Sequence, residues 1–124
     1  MYRGFIVAGG IFGFLAVALG AFAAHALKQR LSPDRLDVFQ TGVHYQATHA
    51  LALLLVAALA AVLGGSSLLM WAGWLFVAGI ILFSGSLYAL TLTGVGAFGA
   101  ITPVGGLCFL AGWLMVVLAG LRAG

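Results

Sequence analysis

Three histidines and a few uncharged polar side chains are the groups in this sequence with types and spacing that could do chemistry. Most lie in the run Phe39-Gln40-Thr41-Gly42-Val43-His44-Tyr45-Gln46-Ala47-Thr48-His49, which leads directly into Ala50-Leu51-Ala52-Leu53-Leu54-Leu55-Val56. Imidazoles exchange protons near neutral pH and are borderline ligands for copper, zinc or haem iron. On a helix, residues four apart sit one above another, so Gln40, His44 and Thr48 form one row. Thr41, Tyr45 and His49 form the next row. The two rows cover roughly half the circumference, with Gln46 alone on the far side. His44 and His49 differ by about 140° around the axis, which makes it hard for them to share one ion. No HExxH motif or cysteine pair is present, and both acidic residues, Asp34 and Asp37, lie outside the apolar runs. Hydrolytic chemistry is therefore not expected.

The elements that must position these groups are membrane spans. Of the 124 residues, 65% are hydrophobic and only 6% charged, against roughly a quarter charged in soluble domains. Apolar runs of about 18 residues or more read as membrane-crossing helices. Such runs cover residues 5–26, about 38–63, about 69–93 and about 100–121. The expected fold class is all-α: an integral membrane bundle of four helices, one domain over residues 1–124, with no soluble domain or long linker. Gly64-Gly65-Ser66-Ser67 separates the second span from the third, and Thr93-Gly94-Val95-Gly96-Ala97-Phe98-Gly99 the third from the fourth. Arg3, the first apolar run and Ala21-Phe22-Ala23 together imitate a signal peptide with its cleavage site. The segment is read as a retained helix.

The segment 28–37 holds five of the seven charged residues. Ser32 followed by Pro33 is a helix start, a capping hydroxyl and then proline at the first helical position. Asp34 in that first turn suits the helix dipole. A short interfacial helix running into the second span is expected, with Leu31, Leu36 and Phe39 facing the membrane. The net charge of +3 is too small and dispersed for nucleic acid, and the partner it suits is the lipid bilayer. In span one, Gly9 and Gly13, and Ala16, Gly20 and Ala24, form small-residue rows that allow close helix approach. These Gly/Ala-rich faces serve packing within the chain, or contact with a second copy or another membrane protein. Cys108, the single cysteine, reads as a packing residue. The three tryptophans, Trp71, Trp74 and Trp113, suit interfacial or inter-helix positions.

Because four spans alternate in direction, four polar segments fall on one side of the membrane. These are His25, residues 40–49, Ser84 to Tyr88 in Phe83-Ser84-Gly85-Ser86-Leu87-Tyr88, and Thr102-Pro103-Val104-Gly105-Gly106. The candidate site is therefore a polar intramembrane cluster of His25, Gln40, Thr41, His44, Tyr45, Gln46, His49, Ser84, Ser86, Tyr88 and Thr102, in the half of the bundle away from the termini. Ser84 and Tyr88 share a face. At 1.5 Å per residue His49 lies ~15 Å beyond Phe39, near the bilayer midplane, and a polar group at that depth needs a buried partner. His25, at a span end, has no such need. Each hairpin's second helix also begins Thr-x-Val, at Thr41 and Thr102, a faint internal likeness. Arg3 and Arg122 on the terminal side nearly balance Lys28, Arg30 and Arg35 on the other, so charge does not orient the chain.

The four motifs Gly20-Ala21-Phe22-Ala23-Ala24-His25, 40–49, 83–88 and 102–106, in this order, resemble the YgdD-like small membrane proteins. That bacterial family of unknown function has a small mitochondrial transmembrane relative in animals. The resemblance covers essentially the whole chain. It implies a four-pass protein of the cell (inner) membrane and no established activity. Gln40, Tyr45, Gln46 and His49 fit the family's pattern, and His44 falls outside it. The family's basic second connection and basic tail are replaced here by uncharged Gly64-Gly65-Ser66-Ser67 and by a chain ending at Gly124, so the resemblance does not orient the chain either.

Three functional classes fit these residues. The first is a non-enzymatic structural, assembly or accessory protein whose polar half packs against itself or a partner. The second is a small transporter or channel with His25, His49, Ser84 and Tyr88 around a polar vestibule, which requires oligomers because four helices hardly enclose a pore. The third is a metal- or haem-binding membrane protein using the histidines, with no particular cofactor specified. The first class needs nothing beyond what the sequence contains, and it is the expected one.

Overall fold

A computed structural model describes residues 2–123. Helix α1 spans Arg3–His25, α2 Pro33–Leu63, α3 Ser67–Gly79, α4 Gly85–Thr93 and α5 Thr102–Ala123. A π-helical turn, Ile80–Ser84, joins α3 to α4 without a break, so the two form one span. Short 3-10 segments, Leu27–Gln29 and Gly96–Ala100, fill the first and last connections. Four stretches are thus long and apolar enough to cross a membrane, and the fold is the all-α, four-helix membrane bundle that the apolar runs predict.

Local chemistry sets the boundaries. The Ser32 hydroxyl accepts from the Arg35 backbone N–H at 3.3 Å, with Pro33 and Asp34 in the first turn, as the sequence indicates. The short helix expected to run into the second span is continuous with it, as the opening turns of α2 itself. Leu31, Leu36 and Phe39 do not face the membrane. Phe39 is fully buried with Ala23, Leu27 and Val43, and Leu31 and Leu36 pack against that cluster. The reversal between α1 and α2 brings these side chains against Ala23 and Leu27, where they are shielded by one another. Helix α3 starts at Ser67, two residues before its apolar run, and the Ser66 hydroxyl caps it by accepting from Leu69 N–H at 3.2 Å. The Tyr2 hydroxyl donates to the Ser66 carbonyl and accepts from the Ser66 N–H, both at 2.8 Å, pinning the start of α1 to the second connection. Gly94, left-handed at φ 74°, ends α4 as a conformation other residues adopt at a cost.

Helix α1 lies along α2, α5 lies along α3, and α2 meets α3, the π turn and α4 across the middle. Gly9 sits against the Ala50 carbonyl and Leu54, and Gly20 against Val43. The small-residue rows of α1 therefore serve packing within the chain, although Ala24 points outward. The contact of α3 with α5 places an aromatic ring over a glycine in each direction, Phe109 over Gly79 and Phe76 over Gly112. One apolar cluster, containing Phe5, Leu53, Val56, Leu69, Phe76 and Phe109, fills the terminal half of the bundle. The cluster around Phe39 fills the other end. Residues 44–51 of α2 lie between the two.

At Gly105 a Cβ would strike the Phe83 backbone in the π turn, whereas at Gly106 it would meet only a ring carbon of Phe83 at 3.9 Å. Gly105→Ala is therefore expected to cost about 1–3 kcal/mol through forced backbone movement. Gly106→Ala should leave stability close to that of the parent. Thermal unfolding of both variants in the same detergent checks this, and equal losses would refute the close approach.

Candidate functional site

The buried face of α2 runs Phe39, Gly42 and Val43, Gln46, His49 and Ala50, Leu53, Val56 and Ala60. It therefore passes through Gln46, the residue expected alone on the far side, and Gln46 and His49 are each only 3% exposed. The row of Gln40, His44 and Thr48 and the upper part of the row of Thr41 and Tyr45 turn outward. Thr41, His44 and Thr48 are exposed, and Tyr45 is 44% exposed. The phase of the apolar residues further along the helix chooses the face, not the number of polar groups on it. Length explains how the outward polar groups are tolerated. A helix of 31 residues measures ~46 Å, against a hydrocarbon core of ~30 Å. With Leu63 at one edge of that core, His44 lies near the other edge, at the level where water and headgroups satisfy polar atoms. On that placement His49 lies ~7 Å inside.

Gln46 joins three spans. Its amide nitrogen donates to the Phe12 carbonyl of α1 at 2.8 Å, and its amide oxygen accepts from the Tyr88 hydroxyl of α4 at 2.6 Å. A carbonyl can only accept, so the NH₂ must face Phe12 and the oxygen must face Tyr88. Gly42, one turn away, makes room: a Cβ there would collide with the Tyr88 ring. The Tyr88 ring also tilts against Phe39 at 4.9 Å between centroids.

His49 makes the link to the last span. Its Nδ1 lies 2.7 Å from the Tyr45 carbonyl, and its Nε2 accepts from the Trp113 indole N–H of α5 at 3.0 Å. An indole N–H only donates and a carbonyl only accepts, so this geometry requires the neutral ring with its hydrogen on Nδ1. The imidazole stacks on Phe109, 3.6 Å between centroids and 9° between planes. Trp113 was expected only as a generic inter-helix or interfacial residue. The available signal was that an indole within an apolar helix needs an acceptor for its N–H, and His49 was the acceptor at matching depth.

A second polar group lies beside the first. The Ser84 hydroxyl donates to the Gly42 carbonyl at 2.7 Å, so Ser84 and Tyr88 do share the face toward α2. Ser86 donates to the Phe83 carbonyl at 2.8 Å and stands 2.6 Å from the Thr102 hydroxyl. With its only hydrogen used, Ser86 accepts from Thr102, linking α4 to α5. Thr91 is spent within its own helix, on the Leu87 carbonyl at 2.9 Å. The structure thus joins Gln46, His49, Ser84, Ser86, Tyr88 and Thr102 to neighbouring helices, with Tyr45 at the margin. It leaves His25, Thr41 and His44 exposed and Gln40 half-buried. The Thr41 hydroxyl donates to the Asp37 carbonyl at 2.9 Å. Those four do not join the cluster, because they sit at the wet end of α1 and α2 rather than between helices.

Chemically, the arrangement consumes its own polarity. Among the described residues no buried side-chain nitrogen or oxygen lacks a partner. Both nitrogens of His49 are engaged, so it has no lone pair free for a metal. Among the described residues no group of three or more His, Cys, Asp or Glu side chains is placed to hold one.

A bundle of this kind, with four apolar spans tied through one polar layer, defines a small multipass membrane protein. The chain belongs to the family described as "Protein of unknown function (DUF423)", whose model matches residues 19–106. That stretch encloses all four motifs of the sequence resemblance, which holds at the level of the family. The chain is 49% identical over 118 residues to the UPF0382 membrane protein YwdK of Bacillus subtilis, covering 95% of this chain and 96% of that protein. It is 44% identical over 119 residues, 95% of each, to a UPF0382 membrane protein of Staphylococcus epidermidis. A UPF0382 membrane protein of Haemophilus influenzae is 49% identical over 78 residues, 63% of this chain and 61% of that one. No solved structure matches.

The bond between Gln46 and Tyr88 can be isolated by a double-mutant cycle of Gln46→Leu and Tyr88→Phe. Each single change strands a partner, so the pair should show a coupling of about 0.5–2 kcal/mol, the range of interhelical hydrogen bonds in membranes. Strictly additive losses in detergent unfolding would show that the two side chains do not meet.

Proposed function

We propose that the chain is a non-enzymatic structural or accessory protein of the cell (inner) membrane. The observation that supports this reading is the saturation of the polar layer. Of the side chains that could move protons, hold an ion or activate a substrate, the buried ones, Gln46, His49 and Tyr88, are each occupied in joining one helix to another, while His25 and His44 lie exposed outside this layer. A transport path needs groups that a solute can engage in passing, and a catalytic centre needs a free base or nucleophile. Helical spans support placement in the cell (inner) membrane, since outer-membrane spans are strands of closed barrels. Any second copy or partner protein would meet the outward faces. The side of α1 carrying Gly9, Ala16 and Ala23 is already covered, whereas Gly10, Phe14 and Val17 are exposed.

The reading is tested by reconstituting the purified protein into sealed liposomes and following proton, metal-cation and small-solute flux. Flux is expected to match that of protein-free liposomes, and photo-crosslinkers at position 14 or 17 in native membranes should give discrete larger species. Proton or cation flux that disappears in His49→Ala would overturn the proposal in favour of a transporter.

A further inference from the structure

Between α2, the π turn and α5 lies a hollow of about 550 Å³. The rings of Tyr45, Phe83, Phe109 and Trp113 and the imidazole of His49 line it. Leu107 and Leu110 complete its α5 side and are both exposed, so the hollow opens through the apolar flank of a span and not at a connection. No charged residue contributes to the lining. Gly106 keeps the hollow open. Nothing in the packing requires a glycine there, in contrast to Gly105 one residue earlier, and a side chain at 106 would occupy this space. The hydrogen bonding of Tyr45 uses its carbonyl, at His49, and leaves its phenol hydroxyl with no protein partner among the described residues. A phenol hydroxyl beside an apolar hollow donates to a carbonyl that enters it.

We propose that this hollow binds one uncharged amphiphile whose head is a flat, carbonyl-bearing ring, of the isoprenoid-quinone type. The aromatic walls suit a planar π-system in offset or edge contact. The neutral lining excludes charged headgroups. The Tyr45 hydroxyl is the donor for a ring carbonyl, and the opening past Leu107 and Leu110 lets the tail remain in lipid. Both nitrogens of His49 are already engaged, so the imidazole acts as wall and not as a proton donor to the ring. The inference concerns binding alone and stands apart from the structural role proposed above.

The test uses a decyl-tailed benzoquinone and the protein in defined lipid nanodiscs, in a Trp71→Phe, Trp74→Phe background. Trp113, which lines the hollow, is then the only indole, and quinones quench indole fluorescence on contact. Saturable quenching is expected. Gly106→Leu, which fills the hollow, should weaken it by about tenfold or more, and Tyr45→Phe by about fivefold, the value of one hydrogen bond. Tyr45→Phe removes a single oxygen from a partly exposed ring, so it remains decisive where the larger change disturbs folding. Quenching that rises linearly and equally in all three proteins reports bilayer partitioning and overturns the proposal. So does competition by decanol as effective as that of the quinone, or unchanged affinity in Tyr45→Phe.

Discussion

A hydrogen-bonding group inside hydrocarbon has no water to turn to, so it must find a partner on another helix or leave the membrane. Helix α2 carries two such groups on its buried face, Gln46 and His49, within one turn of each other. Gln46 reaches a carbonyl of α1 and the hydroxyl of Tyr88, while His49 reaches the indole of Trp113. Through two side chains α2 therefore bonds to every other span. Lipid is as apolar as leucine, so burial does little to hold helices together here, and directional bonds and close packing decide how they sit.

The rest of the architecture follows from bringing those partners within reach. Tyr88 can approach Gln46 because position 42 has no side chain. Trp113 and Phe109 close over His49 because α5 lies tightly on α3, ring over glycine at Gly79 and Gly112. The π turn at Ile80–Ser84 brings Ser84 to the Gly42 carbonyl while its Phe83 backbone presses on Gly105. Two apolar clusters then seal the polar layer from either end. The result is a membrane bundle whose buried polar layer is satisfied from within, the observation on which the proposed structural or accessory role rests.

Much of the fold was legible because membrane helices announce themselves by length and apolarity. The cap at Ser32, the gathering of polar segments toward one end and the shared face of Ser84 and Tyr88 could also be read directly. The face of α2 was misread for a physical reason. Within residues 40–49 polar side chains occur on several sides, and local counting favours the side with most of them. The choice is made by the apolar phase from Leu53 to Ala60, which, carried back to Phe39, passes through His49 and Gln46. Depth along α2 is not fixed by its apolar run alone, since a helix of 31 residues is longer than the hydrocarbon core. The π turn left no sequence signal, and the partner its Phe83 backbone meets, Gly105, lies more than twenty residues away in the chain. The pairing of Trp113 with His49 needed the register of α5 against α2, which no single-helix pattern contains.

The central claim is that His49 is a fixed structural link and not a site for protons or ions. Nitrogen NMR of histidine-labelled protein carrying His25→Gln and His44→Gln, recorded in nanodiscs across a series of pH values around neutrality, reads the two ring nitrogens of His49 directly. The account predicts one neutral tautomer with the hydrogen on Nδ1, an Nε2 shifted by an accepted hydrogen bond, and loss of that shift in Trp113→Phe. A ring that titrates freely through this range, averages between tautomers or shows metal coordination would contradict it.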